Sequence, residues 1–127
     1  MHFPEELRYT KDHEWLRLDD GVATVGITDH AQHELGDIVY VDVSVQLGQQ
    51  VEAGQVVATL EAVKTVADVY APVSGRVVEI NALLAEKPEL INQDPYGQGW
   101  IVRLELLQPA EVEGLLDAAA YRALIGA

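Results

Sequence analysis

The sequence predicts a mostly β, single-domain protein of barrel or sandwich type, on three observations. Valine is abundant through the middle of the chain, and a β-branched side chain fits a pleated, half-buried surface better than a helix. Short apolar or alternating stretches recur between glycine-marked turns instead of running on at a helical period. The 127 residues, 49% of them hydrophobic, suffice for one core, and no linker-like stretch divides them, so residues 1–127 are expected to form one domain.

The elements follow in order. Residues 13–18 alternate polar and apolar as a half-buried strand does, Asp19-Asp20-Gly21 is a turn signal, and residues 22–27 complete a hairpin. Thr28 caps a short helix through Leu35, which Gly36 ends in a conformation that glycine tolerates. Residues 37–43 form a further strand, with Ile38, Tyr40 and Asp42 on one face and Val39, Val41 and Val43 on the other. Gly48 and Gly54 punctuate the next stretch. A strand over 55–62 then turns at Val63-Lys64 and returns over 65–70. Pro72 and Gly75 precede a strand over 76–80, and residues 81–86 form a helical turn stopped before Pro88. The turn-rich loop 93–99 leads to a last strand over 100–106. A C-terminal helix is expected over about 110–125: Val112, Leu115, Leu116 and Ala119 share one face, and Glu111, Glu113 and Arg122 complement its dipole.

Composition excludes several functions. A net charge of −13 argues against nucleic acid or an anionic membrane as a partner and suits either solubility or docking onto basic protein surfaces. With no cysteine there is no disulfide, thiolate catalysis or cysteine metal site. Residues 1–6 lack the basic and apolar regions of a secretory signal and no apolar run is long enough to span a bilayer, so a cytoplasmic location is expected. His30 and His33 have a spacing that can bind metal but lack a third ligand, so no metal site is expected. The two serines, Ser44 and Ser74, lie in no nucleophile elbow, and neither a phosphate loop nor a dinucleotide fingerprint occurs. A stand-alone catalytic site is therefore not expected.

The residue that singles this chain out is Lys64. It occupies the hairpin tip of Leu60-Glu61-Ala62-Val63-Lys64-Thr65-Val66-Ala67-Asp68, sixteen residues after Gly48 and eleven before Gly75, and only Lys11 and Lys87 accompany it as lysines. A lysine on a stiff hairpin tip is presented as a modifying enzyme needs it for attaching a cofactor arm. A lone surface lysine serves equally well as a solubilising charge.

Gly48, Gly54, Glu61, Lys64, Asp68, Pro72, Gly75 and Asn81 together resemble the lipoyl-lysine segment of the glycine cleavage system H proteins. The resemblance extends over nearly the whole chain. His13-Glu14-Trp15, Gly26-Ile27-Thr28-Asp29-His30-Ala31-Gln32, Leu35-Gly36-Asp37, Tyr70-Ala71-Pro72-Val73-Ser74-Gly75, Leu90-Ile91-Asn92, Asp94-Pro95-Tyr96 and Gly99-Trp100 match family blocks in order. Two departures stand out. Ala62 and Ala67 occupy positions where the family usually has serine, and Glu34, with His33 beside it, replaces a histidine that lines the arm cleft in some relatives. A biotin carrier fits less well, because its motif flanks the lysine with methionines and Met1 is the only methionine here.

The resemblance implies a barrel-sandwich hybrid of lipoyl-domain type, with the lipoyl-bearing hairpin core over about 37–81, and a carrier that is not itself an enzyme. Lipoate would be amide-linked to Lys64 by a lipoate ligase or a lipoyl/octanoyl transferase, making an arm of roughly 15 Å. The carrier would take an aminomethyl group from a pyridoxal-phosphate glycine decarboxylase to a tetrahydrofolate-dependent aminomethyltransferase. It would then present its dithiol to a flavin (FAD) dihydrolipoyl dehydrogenase, and a monomer is expected. The alternatives are an H-like relay supplying lipoate to 2-oxoacid dehydrogenases and an unmodified β-rich adaptor. Glu14 matches a family position that contacts the amine of the loaded arm, and Glu34 is a second arm-cleft candidate. Glu61 recurs in the family motif and is assigned to recognition by the lipoylating enzyme; the part of Asp68 stays open.

Overall fold

Alternation of apolar side chains turns two antiparallel sheets toward one another. In the computed structural model, which describes residues 1–127, the strands are β1 (Arg8–Tyr9), β2 (Glu14–Asp19), β3 (Val22–Ile27), β4 (Ile38–Val43), β5 (Gln50–Val51), β6 (Val56–Ala62), β7 (Val66–Tyr70), β8 (Gly75–Ile80) and β9 (Val102–Leu106). The helices are α1 (Asp29–Leu35), α2 (Leu83–Glu86), α3 (Leu90–Gln93) and α4 (Ala118–Ile125). Six strands form one sheet in the order β1-β2-β3-β9-β8-β5, and β4-β6-β7 form the other. Leu16, Val25, Val77 and Leu104 of the larger sheet join Val41, Ala58, Leu60 and Val69 of the smaller in one buried cluster. Each such valine or leucine contributes about 1.5–3 kcal/mol by leaving water. This is the mostly β architecture with short helices and a C-terminal helix that the sequence predicts.

A second cluster, of Phe3, Leu7, Tyr9, Trp15, Ala118 and Tyr121, ties both ends of the chain to β2. Successive side chains of a strand point to opposite faces. Trp15 therefore packs in this second cluster, while its neighbour Leu16 belongs to the main core. Close approach of β3 to Trp15 requires Gly26, since a Cβ there would stand 2.7 Å from the indole Nε1. The indole nitrogen donates to the Pro95 carbonyl at 3.0 Å.

Three local expectations are corrected. The C-terminal helix over about 110–125 is two pieces: a 3-10 turn over Pro109–Gly114 and then α4. Leu115 is extended, and Leu116 exchanges two backbone hydrogen bonds of 2.8 Å with Tyr9. Asp117 then caps α4 by accepting from the Ala120 amide at 2.8 Å. Ala118 and Tyr121 are the buried pair, and Ala119 is exposed. The even alternation expected for β4 is broken by a bulge between Ile38 and Tyr40, which buries Ile38 and Val41 and leaves Val39 and Tyr40 about half exposed. Finally, β1, β5 and α3 arise where no element was expected, and β9 begins two residues later than its apolar run.

Candidate functional site

The β6–β7 hairpin is a finger with Lys64 at its end. Glu61 pairs with Val66, Leu60 with Ala67 and Thr59 with Asp68. The Ala62 amide donates to the Thr65 carbonyl at 2.8 Å and closes the turn, while the Val63 amide donates to the Asp37 carbonyl at 3.0 Å and fastens the tip to the start of β4. Val63, Lys64 and Thr65 are exposed.

The lysine side chain does not stand free. It lies across Gly36, where a Cβ would come within 3.3 Å of its Cε and 3.8 Å of its Nζ. Gly36 also has φ +78° as it ends α1, a backbone conformation that favours glycine. Asn92 of α3 holds this corner: its Oδ1 accepts from the Ile38 amide at 2.9 Å, and its Nδ2 donates to the Gly36 carbonyl at 2.8 Å.

Beside this corner a cleft of about 340 Å³ opens between α1, β2 and β7. Ile27, Ala31, Leu35, Leu60, Ala67 and Val69 make its apolar wall; Asp12, His13, Glu14, His30 and Glu34 supply the polar groups. The structure thus brings Glu14 and Glu34 together in one cleft, with Leu35 leading to the glycine under Lys64. Glu61 is elsewhere, exposed on the outer face of the finger, in the cross-strand row Tyr40–Glu61–Val66.

Glu14 is 2% exposed. Its Oε1 accepts from the Thr10 hydroxyl at 2.6 Å and its Oε2 from the Tyr70 amide at 3.1 Å. Burial pushes this carboxyl above its ordinary range; the bonds from Thr10 and Tyr70 oppose the rise, and nearby Asp12 adds to it. None of the three ion pairs of the molecule includes it. A buried carboxylate without a cationic side chain is rare, because desolvation of an unpaired charge is costly. Each carboxylate oxygen has a further lone pair for another donor. Glu34 is exposed at the rim.

Sequence reasoning missed the histidines of this cleft. His33, singled out beside Glu34, does not line it; His30 does, one helical turn before Glu34 on the same face of α1. That i, i+4 spacing was the available signal. The His30 ring packs 5.0 Å from that of His13, and its Nδ1 is buried without a hydrogen-bond partner. His13 has φ +71° and bonds through Nδ1 to the Tyr121 hydroxyl at 2.8 Å, which in turn meets the hydroxyl of Thr28, the cap of α1, at 2.8 Å. Burial, and then His30, pulls His13 below its ordinary pKa, against the opposing pull of Asp12 and Glu34. Asp68 borders the cleft, but its carboxylate turns to the outer face of the finger, where Oδ1 accepts from Thr59 at 3.0 Å. No group of three or more side chains is arranged to hold a metal ion.

A lysine on a pinned hairpin tip, beside a cleft with an apolar wall and acidic groups, is the class of site that can carry a lysine-linked arm. Comparison with known proteins narrows the class: the family profile described as glycine cleavage H-protein matches residues 7–127. The chain belongs to that family. It is 50% identical over 127 residues to the glycine cleavage system H protein of Bacteroides fragilis, covering 100% of each chain. It is 57% identical over 128 residues to that of Chlorobium luteolum, covering 99% of each. A crystal structure of the glycine cleavage system H protein of Mycobacterium marinum superposes with a TM-score of 0.90 at 37% identity, covering 98% of this chain and 100% of that one.

Proposed function

We propose that this protein is the lipoyl shuttle of a glycine cleavage system: a single carrier domain over residues 1–127, acting as a cytoplasmic monomer, with lipoate amide-linked to Lys64. Full-length similarity to proteins named for glycine cleavage supports this reading over a lipoate relay. Its partners are then glycine decarboxylase, aminomethyltransferase, dihydrolipoyl dehydrogenase and a lipoylating enzyme. The chain is a carrier component and performs none of their reactions.

The residues fit the group. Gly36 leaves room for the Lys64 stem, and the cleft that begins at Leu35 offers apolar wall for a hydrocarbon arm. Bound lipoate supplies the sulfur chemistry, of which a chain without cysteine has none. The protein's own part is shelter. Loaded as the family implies, the arm ends in a cationic amine, and a negative group in a partly water-excluded cleft attracts it far more strongly than one in bulk water. Glu14, buried, hydrogen-bonded on both oxygens and lacking a counter-ion, is the observation that carries this assignment. Glu34 at the rim adds a weaker, screened attraction. Where relatives have serine, Ala67 gives the cleft wall a methyl group, so holding the arm rests more on charge and apolar contact than on hydroxyl bonds. Glu61, outside the cleft, is assigned to recognition by the lipoylating enzyme.

Two measurements test the proposal. Intact mass should rise by one lipoyl group on treatment with lipoate ligase, lipoate and ATP, and Lys64→Arg should abolish the rise. Loaded protein kept apart from the transferase should release ammonia and formaldehyde faster with Glu14→Gln, and faster again with Glu34→Gln added. An unchanged release rate in both variants refutes the cleft assignment.

A further inference from the structure

The outer face of the finger carries an apolar collar around Lys64 that neither the fold nor the cleft requires. Val63 is 75% exposed, Val66 60%, Val39 53% and Tyr40 52%. Val63 is the most exposed large hydrophobic residue of the chain, and it sits in a turn, where glycine, asparagine, aspartate or serine is the ordinary choice. Tyr40 and Val66 flank Glu61 in a single cross-strand row, and Asp42, Thr59 and Asp68 form the next row back from the tip. Val63 adjoins the lysine, Tyr40 and Val66 lie in the first row behind the tip and Val39 in the bulge beside Tyr40, with the exposed Asp37, Asp42, Glu61 and Asp68 as acidic neighbours. Local turn propensity and solvation are both sacrificed here, which marks a surface that is covered at some stage.

Accepting Lys64 as the attachment point, we propose that this collar is the docking surface for the enzyme that acylates Lys64, through an apolar pocket ringed by basic side chains. Reach decides between the partners. The acylating enzyme must bring the activated carbonyl carbon within about 3 Å of Nζ, so its surface has to meet the residues around the tip. Enzymes acting at the far end of an arm of roughly 15 Å have no such constraint. In the step itself the Lys64 ammonium first gives up a proton. Its nitrogen then forms the amide bond to the lipoyl carbonyl as the bond to the AMP of a lipoyl-adenylate breaks, and a second proton leaves the nitrogen. Apolar contact supplies the affinity and the acidic rim the orientation and on-rate, as charge complementarity at interfaces does.

The experiment measures loading of the unmodified full chain by lipoate ligase with lipoate, ATP and Mg²⁺, using intact mass for initial rates. The double variant Val63→Ser with Val66→Thr, and separately Tyr40→Thr, should each lower kcat/KM about tenfold, mainly through KM, as expected when a buried apolar contact is lost. Leu124→Ser, 52% exposed on α4, should stay within twofold of the parent. Thermal melts within a few degrees of the parent establish that the variants fold. Loaded to completion with excess ligase, all variants should support glycine–bicarbonate exchange with the decarboxylase at the parent rate. Loading within twofold of the parent in both collar variants overturns the proposal. So does normal loading with lost exchange, which assigns the collar to the decarboxylase instead. If Lys64→Arg still gains the lipoyl mass, the attachment reading fails and this proposal with it; failure of the collar variants alone leaves that reading intact.

Discussion

Replacing Thr10 with valine tests whether Glu14 is held as an ionised, aimed carboxylate. The Thr10 hydroxyl donates to Glu14 Oε1 at 2.6 Å and accepts from the amides of Asp12 and Glu14 at 3.2 and 3.1 Å. The first bond is charge-assisted, a kind worth about 1.5–3 kcal/mol; water replaces the acceptor of the exposed Asp12 amide, whereas the part-buried Glu14 amide is left without one at a cost of about 1–3 kcal/mol. A loss of about 3 kcal/mol follows, which for a domain of this length lowers Tm by about 11 °C. Its pH dependence is specific. Valine removes a bond that favours the ionised form, so the Glu14 carboxyl, already raised by burial, titrates higher still. The destabilisation is then largest above that pKa and shrinks as pH falls and Glu14 is protonated. Urea unfolding of parent, Thr10→Val and Thr10→Ser at pH 7.5 and pH 4.5 measures this, with carboxyl NMR following Glu14 directly. Serine should restore most of the loss. Equal loss for serine and valine, or a valine penalty that does not change with pH, refutes the hydroxyl anchor.

Other perturbations have equally definite outcomes. Gly26→Ala drives a methyl group to 2.7–2.8 Å from the Trp15 ring and should cost about 1–3 kcal/mol in urea unfolding, with a changed tryptophan emission. The His13 pKa is lowered in the fold, so the unfolded chain binds more protons below the ordinary histidine pKa. Stability should be complete above about pH 6.5 and fall as the pH drops through the lower folded value; His13→Asn, which tolerates the positive φ, should flatten that fall relative to the parent. Asn92→Ala removes the clamp on Gly36 and Ile38 and should cost about 1–3 kcal/mol, with faster amide exchange at Val63 as its readout.

Much of the fold was legible because its signals are local. Thr28 and Gly36 bound α1 as their chemistry dictates, and the Val63-Lys64 tip lies between two strands whose apolar residues alternate in plain view. What was not legible depends on distant partners. β1 and β5 are two-residue strands that exist only through pairing with β2 and β8. The 110–125 segment has helical spacing throughout, yet Leu116 bonds instead to Tyr9, and Asp117 restarts the helix. The site divides in the same way. Lys64 could be singled out from its own neighbourhood, whereas burial of Glu14 depends on an amide fifty-six residues away and appears only when the sheets meet.

On the proposed attachment of an arm at Lys64, the bond from the Val63 amide to the Asp37 carbonyl has a consequence for traffic between enzymes. With the finger anchored, its own bending adds nothing to the travel of the cargo, and the leash alone sets the radius. A reactive end confined to a half-sphere of roughly 15 Å is present at roughly 0.2 M at any entrance inside that radius, and absent from any entrance outside it. Every client must therefore bring its catalytic mouth within one leash-length of the same fixed pivot, so clients compete for the fingertip and are visited in turn.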